Sequence, residues 1–318
     1  MTEIPDHVRR WAAQRAERRA NREFEAADAL RERIAGAGYD VTDTPGGPVV
    51  ARARRYTTLL PDQVPDRRGE DDAHDASVLL LLDDPTGGEQ PGWVVGDATR
   101  CLAGVLATSE GHDYEIIILD NGVGGAAGDW AADAARNPGV RAEHLTEPVG
   151  FAAARQLQHR MAVGRVVLWL DTGVEPTGDL LGALKTAFTD HAVGVAGRWG
   201  GNLGSSVSHF DPVEPPPQGM CDVAAVWGYL LGLRRDLLRN GGVELDPGFR
   251  FYRNADADLA FRVRAAGART VVAALPAVQH VHRLYAETPA DVVERESERN
   301  YRRLLARWRG EMEALAQR

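Results

Sequence analysis

Cysteine is nearly absent from these 318 residues: Cys101 and Cys221 stand far apart and lack any metal-type pairing. That excludes a disulfide framework and a cysteine zinc site, leaving two reduced structural thiols. No run of about 18 apolar residues exists to span a membrane. The first thirty residues are charged throughout and do not form an apolar signal segment, so a cytoplasmic enzyme or binding protein is expected. Lysine occurs once, at Lys185, and arginine supplies the remaining positive charge, a trait of genome composition and not of mechanism. Basic charge is in deficit, 37 Lys and Arg against 46 Asp and Glu for a net −9. This argues against a surface that is all nucleic-acid footprint, though a local basic face remains open. Internal repeats and low-complexity tracts are also missing.

What is present divides into regions by pattern, and an apolar content of 44% is enough for one large domain and a small appendage. Residues 7 to 38 are dense in Ala, Arg and Glu, with Phe24, Ala27, Leu30 and Ile34 at helical spacing, and predict a helical hairpin. "YDVTDTPGGPVVARA" follows as two short β-like pieces around a Pro-Gly-Gly turn. The expected domains are a helical module over 1–58, a charged, proline-bearing linker over 59–76, a main domain over 77–285 and a helical segment over 286–318. From Ser77, apolar runs ("SVLLLL", "YEIIILD", "VVLWLD", "AVGVAG", "VAAVWGYLLGL", "TVVAALPAVQHVH") alternate with helical stretches. That order predicts an α/β fold, a mostly parallel sheet with helices on both faces.

In open α/β sheets ligands sit beyond the carboxyl ends of the strands. The polar residues in such places are Asp120, Asp171, Asp256 with Asp258 in "NADADL", and His280 with His282. Carboxylates and imidazoles converging on one rim can bind a metal diphosphate and supply a base. Singly, each has an ordinary alternative: a turn for Asp120, a helix start for Asp256 and Asp258, solvent for the histidines. Their joint order over some two hundred residues points to a site.

That order, carried by "ATRCLAGVLATSEGHDYEIIILDNG", "GFAAARQLQHRMAVGRVVLWLDTGVEP" and "VWGYLLGLRRDLLRNGGVELDPGFRFYRNADADLAFRVRAAG", resembles the family-2 glycosyltransferases, particularly the rhamnosyltransferase-like branch. The resemblance covers residues 77–285 and implies a GT-A fold, the Rossmann-like nucleotide-diphospho-sugar transferase architecture. It implies transfer of a sugar from a nucleoside-diphosphate sugar to an acceptor hydroxyl, with inversion. By the same resemblance Asp120 and Asp171 hold the donor, and arginines such as Arg155 or Arg253, acting directly on the diphosphate, are the alternative to a metal there. Asp256 is the catalytic base, and Trp227, Gly228 and Asp258 lie under the acceptor and sugar. Asp171, His280 and His282 would be ligands of a divalent metal, Mn²⁺ or Mg²⁺. The chain departs from the family pattern where Gly173 replaces the second acid of Asp-x-Asp and Ala255 the Glu of Glu-Asp-x-Asp. Fewer oxygens mean weaker metal binding, because such ions want about six ligands. Asn254 is read as a helix cap that keeps Asp256 ionised at the positive end of the helix, and Ala255 as leaving it a weaker base.

Residues 9–52, through Phe24, "AADALR" and "DTPGG", resemble the C-terminal tail of cysteinyl-tRNA synthetases, which implies a possible tRNA partner. Charge does not demand it: residues 1–70 carry 13 Lys and Arg against 12 Asp and Glu. Packing against the main domain or forming a homodimer serves such a module equally. Three functions stay open: a sugar transferase, a tRNA-directed transferase or RNA-binding protein, and a catalytically degenerate nucleotide-binding or interaction protein.

Overall fold

The computed structural model describes residues 4–53, 55–84, 92–204, 210–239, 242–282 and 286–316. The expected domain edge at residue 285 lies outside them. The chain divides into two compact units, Met1–Thr57 and Thr58–Arg318.

In the first unit α1 (Asp6–Ala20) and α2 (Phe24–Gly36) form the hairpin, followed by β1 (Tyr39–Thr44) paired antiparallel with β2 (Gly47–Arg52). Its core is small: Val8, Ala12 and Ile34, with Trp11, Tyr39, Val41 and Val50 packed on them. The buried Arg15 reaches Asp43 at 2.7 Å, tying helix to hairpin. Phe24, read as part of the apolar stripe, is 56% exposed, because the stripe is buried only through Ala27 and Ile34.

The second unit is built on an eight-stranded sheet. In chain order its strands are β3 (His74–Leu82), β4 (Tyr114–Asp120), β5 (Val140–His144), β6 (Gly164–Leu170), β8 (Val193–Gly197), β11 (Met220–Asp222), β13 (Leu230–Arg234) and β14 (Arg269–Ala273). Across the sheet they run β11-β14-β8-β13-β6-β3-β4-β5. β5, β4, β3, β6, β8 and β14 share one direction, while β13 lies antiparallel between β6 and β8 and β11 antiparallel on the β14 edge. Side-chain alternation supplies both cores. Leu79, Leu81, Ile117 and Leu119 face α5 (Phe151–Met161), α7 (Ala255–Ala265) and α8 (Ala290–Trp308). Val78, Leu80, Ile116 and Ile118 face α3 (Trp93–Thr108), α4 (Gly125–Ala134) and α6 (Leu180–Ala187). Strands buried on both faces read as unbroken apolar runs.

Two runs read as single strands are divided. "VAAVWGYLLGL" becomes β12 (Ala225–Val226), which pairs with β9 (Gly200–Leu203) in a small sheet shared with β10 (Phe210–Val213), and then β13. The break at Trp227-Gly228-Tyr229 is held by Gly228 N–H donating to Asp256 Oδ2 at 2.9 Å. "TVVAALPAVQHVH" becomes β14 and then β15 (Ala277–Gln279), which leaves the main sheet at Pro276 and pairs antiparallel with β7 (Val174–Pro176). Proline cannot donate a ladder hydrogen bond.

The stretch read as a linker is held against the body of the second unit. The fully buried Arg235 guanidinium donates to the carbonyls of Arg67 (2.6 Å) and Glu70 (3.0 Å) and pairs with Asp72 at 2.7 Å. Leu59 forms a parallel bridge with Leu145. The polarity that suggests a tether serves to pair these charges.

Candidate functional site

The carboxyl edge of the sheet begins with β4. Asp120 ends it, but its carboxylate is 1% exposed and turned back into the following turn. It accepts from the N–H groups of Val123 (2.9 Å) and Gly124 (3.2 Å) and meets His144 Nδ1 at 3.0 Å. Gly122 makes that turn possible, with φ of +72° and the chain at Pro148 2.5 Å from where a Cβ would stand. The structure thus gives Asp120 the task of shaping this turn, in place of the open acid facing a nucleoside. Asn121 continues it, donating to Asp83 Oδ1 (3.0 Å) and the Val149 carbonyl (2.8 Å). Asp83, just past β3, is a residue that sequence reading passed over. Burial pushes its carboxyl up to about 6, against the opposing pull of Asn121. An acid directly after a fully apolar strand was the signal that could have found it.

At the end of β6, Asp171 lines a cavity of about 770 Å³ together with Trp227, Gly228, Tyr229, Tyr252, Arg253, Asp256 and His282. Its backbone N–H donates to the Tyr229 carbonyl (2.9 Å), its Oδ1 accepts from Gly173 N–H (2.8 Å), and its Oδ2 lies 3.5 Å from His282 Nε2. Burial raises its proton affinity, but His282, the Gly173 N–H and Arg155 outweigh that, and the net shift is downward. The His282 ring stands between Tyr229 and Tyr252, each 4.8 Å away, and its buried Nδ1 has no hydrogen-bond partner among the described residues.

His280 is placed elsewhere. Its Nε2 meets Glu175 Oε2 at 2.7 Å, on the side where Arg100 approaches the same carboxylate. The expected metal trio is therefore reduced to Asp171 and His282. Gly173 has a steric cause: a Cβ there would stand 2.9 Å from Asp171 Oδ1 and 3.1 Å from the Val281 carbonyl, and its own carbonyl accepts from His280 N–H at 2.8 Å. The strap 280–282 occupies the room a second acid would need. Among the described residues, three His, Cys, Asp or Glu side chains nowhere gather into a metal cluster. Asp171 and His282 would offer a divalent ion two ligands, fewer than the about six such ions want.

Asp256, in the first turn of α7, shares the cavity, its Oδ2 accepting from Gly228 N–H and its Oδ1 from Ala257 N–H at 2.9 Å each. Asn254 makes no side-chain cap; it takes the left-handed conformation, φ +66°, and turns the chain into the helix. Burial, the largest influence, outweighs the backbone N–H groups and Arg253 and moves Asp256 above its ordinary range. It is a stronger base than the sequence suggests. Ala255 is fully buried in the core.

Asp258 does not reach the cavity. Fully buried, it accepts from Trp308 Nε1 (2.7 Å) and pairs with Arg262 (2.6 Å), fastening α8 to α7. Arg155 is also interior: its guanidinium lies 5.5 Å and 5.2 Å from the ring centres of Phe151 and Trp169 and donates to the Leu79 carbonyl. Burial lowers its pKa to about 10, opposed by Asp171 and Asp83. It acts from behind the site, not on its surface.

A mixed α/β sheet in this strand order, with carboxylates from β6 and α7 facing one cavity at its carboxyl edge, is a GT-A glycosyltransferase architecture. Residues 97–241 match the family model Glycosyl transferase family 2. Among solved structures, GalNAc-T7, determined with UDP, GalNAc and Mn²⁺, is 15% identical with a TM-score of 0.57, covering 76% of this chain and 49% of that one. TarS of S. aureus is 13% identical with a TM-score of 0.48, over 67% of this chain and 38% of that one. A cysteine–tRNA ligase of Chlamydia caviae is 40% identical over 50 residues, 16% of this chain and 10% of the ligase. This chain thus spans about half or less of each of these three proteins. No helix among the described residues is long and apolar enough to cross a membrane.

Proposed function

We propose that the protein transfers a glycosyl residue from a nucleoside-diphosphate sugar to an acceptor hydroxyl, with inversion at the anomeric carbon. The observation that supports it best is the shared cavity of Asp171 and Asp256, inside a domain of the family-2 type. Asp256 Oδ takes the proton of the acceptor hydroxyl as that oxygen forms its bond to the anomeric carbon. The bond to the diphosphate oxygen breaks on the opposite face, and its electron pair leaves with the nucleoside diphosphate. Trp227, Gly228 and Tyr229 form the wall behind the sugar, Gly228 orienting the base through its N–H. Asp171 and His282 would hold a divalent ion, which when bound neutralises charge on the diphosphate; GalNAc-T7 was solved with such an ion. Arg253 lines the same cavity and offers fixed positive charge. Asp120, Asn121 and Asp83 shape the nucleoside end, and Arg155 steadies Asp171 and Asp83 from behind.

A panel of nucleotide-sugars, scored by thermal shift and by nucleotide release with and without Mn²⁺, tests this. Stabilisation by one donor together with slow release supports the reading; a flat response to every donor and free nucleotide defeats it.

A second reading concerns the first unit, favoured by the short ligase match alone: it contacts a tRNA and brings it to the transferase. A gel shift whose affinity falls with salt supports that, and no shift at low salt leaves the unit a packing or dimerising role.

A further inference from the structure

A second cavity, of about 690 Å³, lies beside the first. The two share Arg253, Ala286 and Ser297 as walls, and the second continues past them to Ala290, Val293 and Glu294 of α8. Each volume suits one small ligand, and a two-substrate reaction needs two such spaces meeting at the base. We propose that this second cavity is the acceptor subsite and that the acceptor is a neutral polyhydroxyl molecule, a saccharide. The inference rests on the transferase reading above.

The placement of α8 is fixed independently of any ligand. Asn300 Nδ2 donates to the carbonyls of Phe251 and Arg253, 2.7 Å each, binding the helix to the segment that leads into Asp256. Glu294, Ser297, Glu298 and Tyr301 are spaced three and four apart, on one helix face. That face borders the cavities: Glu298 and Tyr301 line the first, Glu294 the second, and Ser297 both. Ser297 Oγ is buried without a hydrogen-bond partner among the described residues. A buried hydroxyl left unpaired is costly, and a bound hydroxyl group relieves it.

The charge of the lining selects the ligand class. Around the second cavity Glu294 sets one carboxylate against the guanidinium of Arg253, so the lining carries no net charge. Carboxylates accept hydrogen bonds from hydroxyls and repel phosphates. Ala290 and Val293 give small apolar contact suited to the C–H face of a sugar ring. A polyanionic acceptor would find no surplus of positive charge at this rim.

The test uses the full chain, the donor found in the nucleotide-sugar panel, and neutral monosaccharides and disaccharides as acceptor probes, with a polyprenyl phosphate and bulk tRNA as anionic ones. Nucleotide release and glycosylated product are measured together. The wild-type protein is expected to glycosylate a neutral saccharide. Ala290→Trp, which fills the second cavity, is expected to raise the KM for that saccharide at least tenfold and to lower the ratio of transfer to hydrolysis. Ser297→Val, a smaller change that carries the test if the tryptophan variant fails to fold, is expected to raise that KM severalfold. Donor hydrolysis with transfer only to an anionic probe, or to none, overturns the inference while leaving the transferase reading standing. So does an unchanged saccharide KM in the folded variants. A wild-type protein that neither binds nor hydrolyses any donor overturns both.

Discussion

Asp256 combines two opposed influences, burial that raises its proton affinity and backbone N–H groups that lower it, and burial prevails. A base must be deprotonated to act, so transfer is expected to fall as pH drops through a limb lying above the ordinary carboxylate range near 4. A rate profile whose acid limb sits at the ordinary value would remove Asp256 from that role. Asp256→Asn is expected to slow transfer by on the order of a hundredfold with donor affinity nearly intact, the pattern for a group used in the transition state. Asp83 makes a different pH signature. Its folded-state value of about 6 lies above that of the unfolded chain, near 3.9. The native state therefore binds more protons between those values, and stability falls as pH rises through that window. Asp83→Asn is expected to flatten this slope, worth on the order of 2 kcal/mol, when urea denaturation is compared at both ends of the window. Asp256 was legible in "NADADL" because a single helical turn places it. The environment that sets its strength was not, since Gly228 comes from 28 residues away. Asp258 and Arg155 were misplaced for the same reason: Trp308 and Trp169, which claim them, are distant in the chain.

The strands that carry the site were readable because a sheet covered on both faces leaves uninterrupted apolar runs, as in β3, β4 and β6. Where a run changes sheets, as between β12 and β13 or β14 and β15, hydrophobicity stays high and the break is invisible. The strap 280–282 is the other element that composition hides, and it explains Gly173 better than loss of function does. Gly173→Asp should therefore not rebuild a metal site: crowding against Asp171 and Val281 is expected to cost about 1–3 kcal/mol with no gain in Mn²⁺ affinity. Thermal melting and calorimetric titration of the variant decide this, and tighter Mn²⁺ binding would show that the strap yields. The segment held by Arg235 offers a parallel case. Arg235→Leu removes the donor to the Arg67 and Ala162 carbonyls and leaves Glu70 and Asp72 to Arg239 alone, and limited proteolysis is expected to open residues 65–72 in the variant well before the same bonds in the wild type. Equal cleavage rates would return this stretch to the status of a tether.

At the scale of the whole molecule, the two units differ in how they are held. The first has a small buried core around Val8, Ala12 and Ile34 and depends on ion pairs such as Arg15 with Asp43; the second has two extensive apolar layers. High salt is accordingly expected to lower the melting of the first unit more than the second, read by amide exchange of α1 and α2 against β3 and β4; equal protection losses would contradict it. The antiparallel β13 has a consequence for how the larger unit is made. It fills the gap between β6 and β8, yet it is the seventh of the eight strands to appear in the chain. A polypeptide emerging from the ribosome can close β3, β4, β5 and β6 early, but until Leu230–Arg234 arrives β6 keeps an open edge and β8 lacks its link to it. For the time needed to synthesise more than thirty residues, about 2–7 s, the all-apolar ladder Val193–Gly197 is a solitary sticky edge. Slowing translation between residues 198 and 229 would lengthen that exposure and raise the demand for chaperones, so yield of soluble protein becomes a question of tempo.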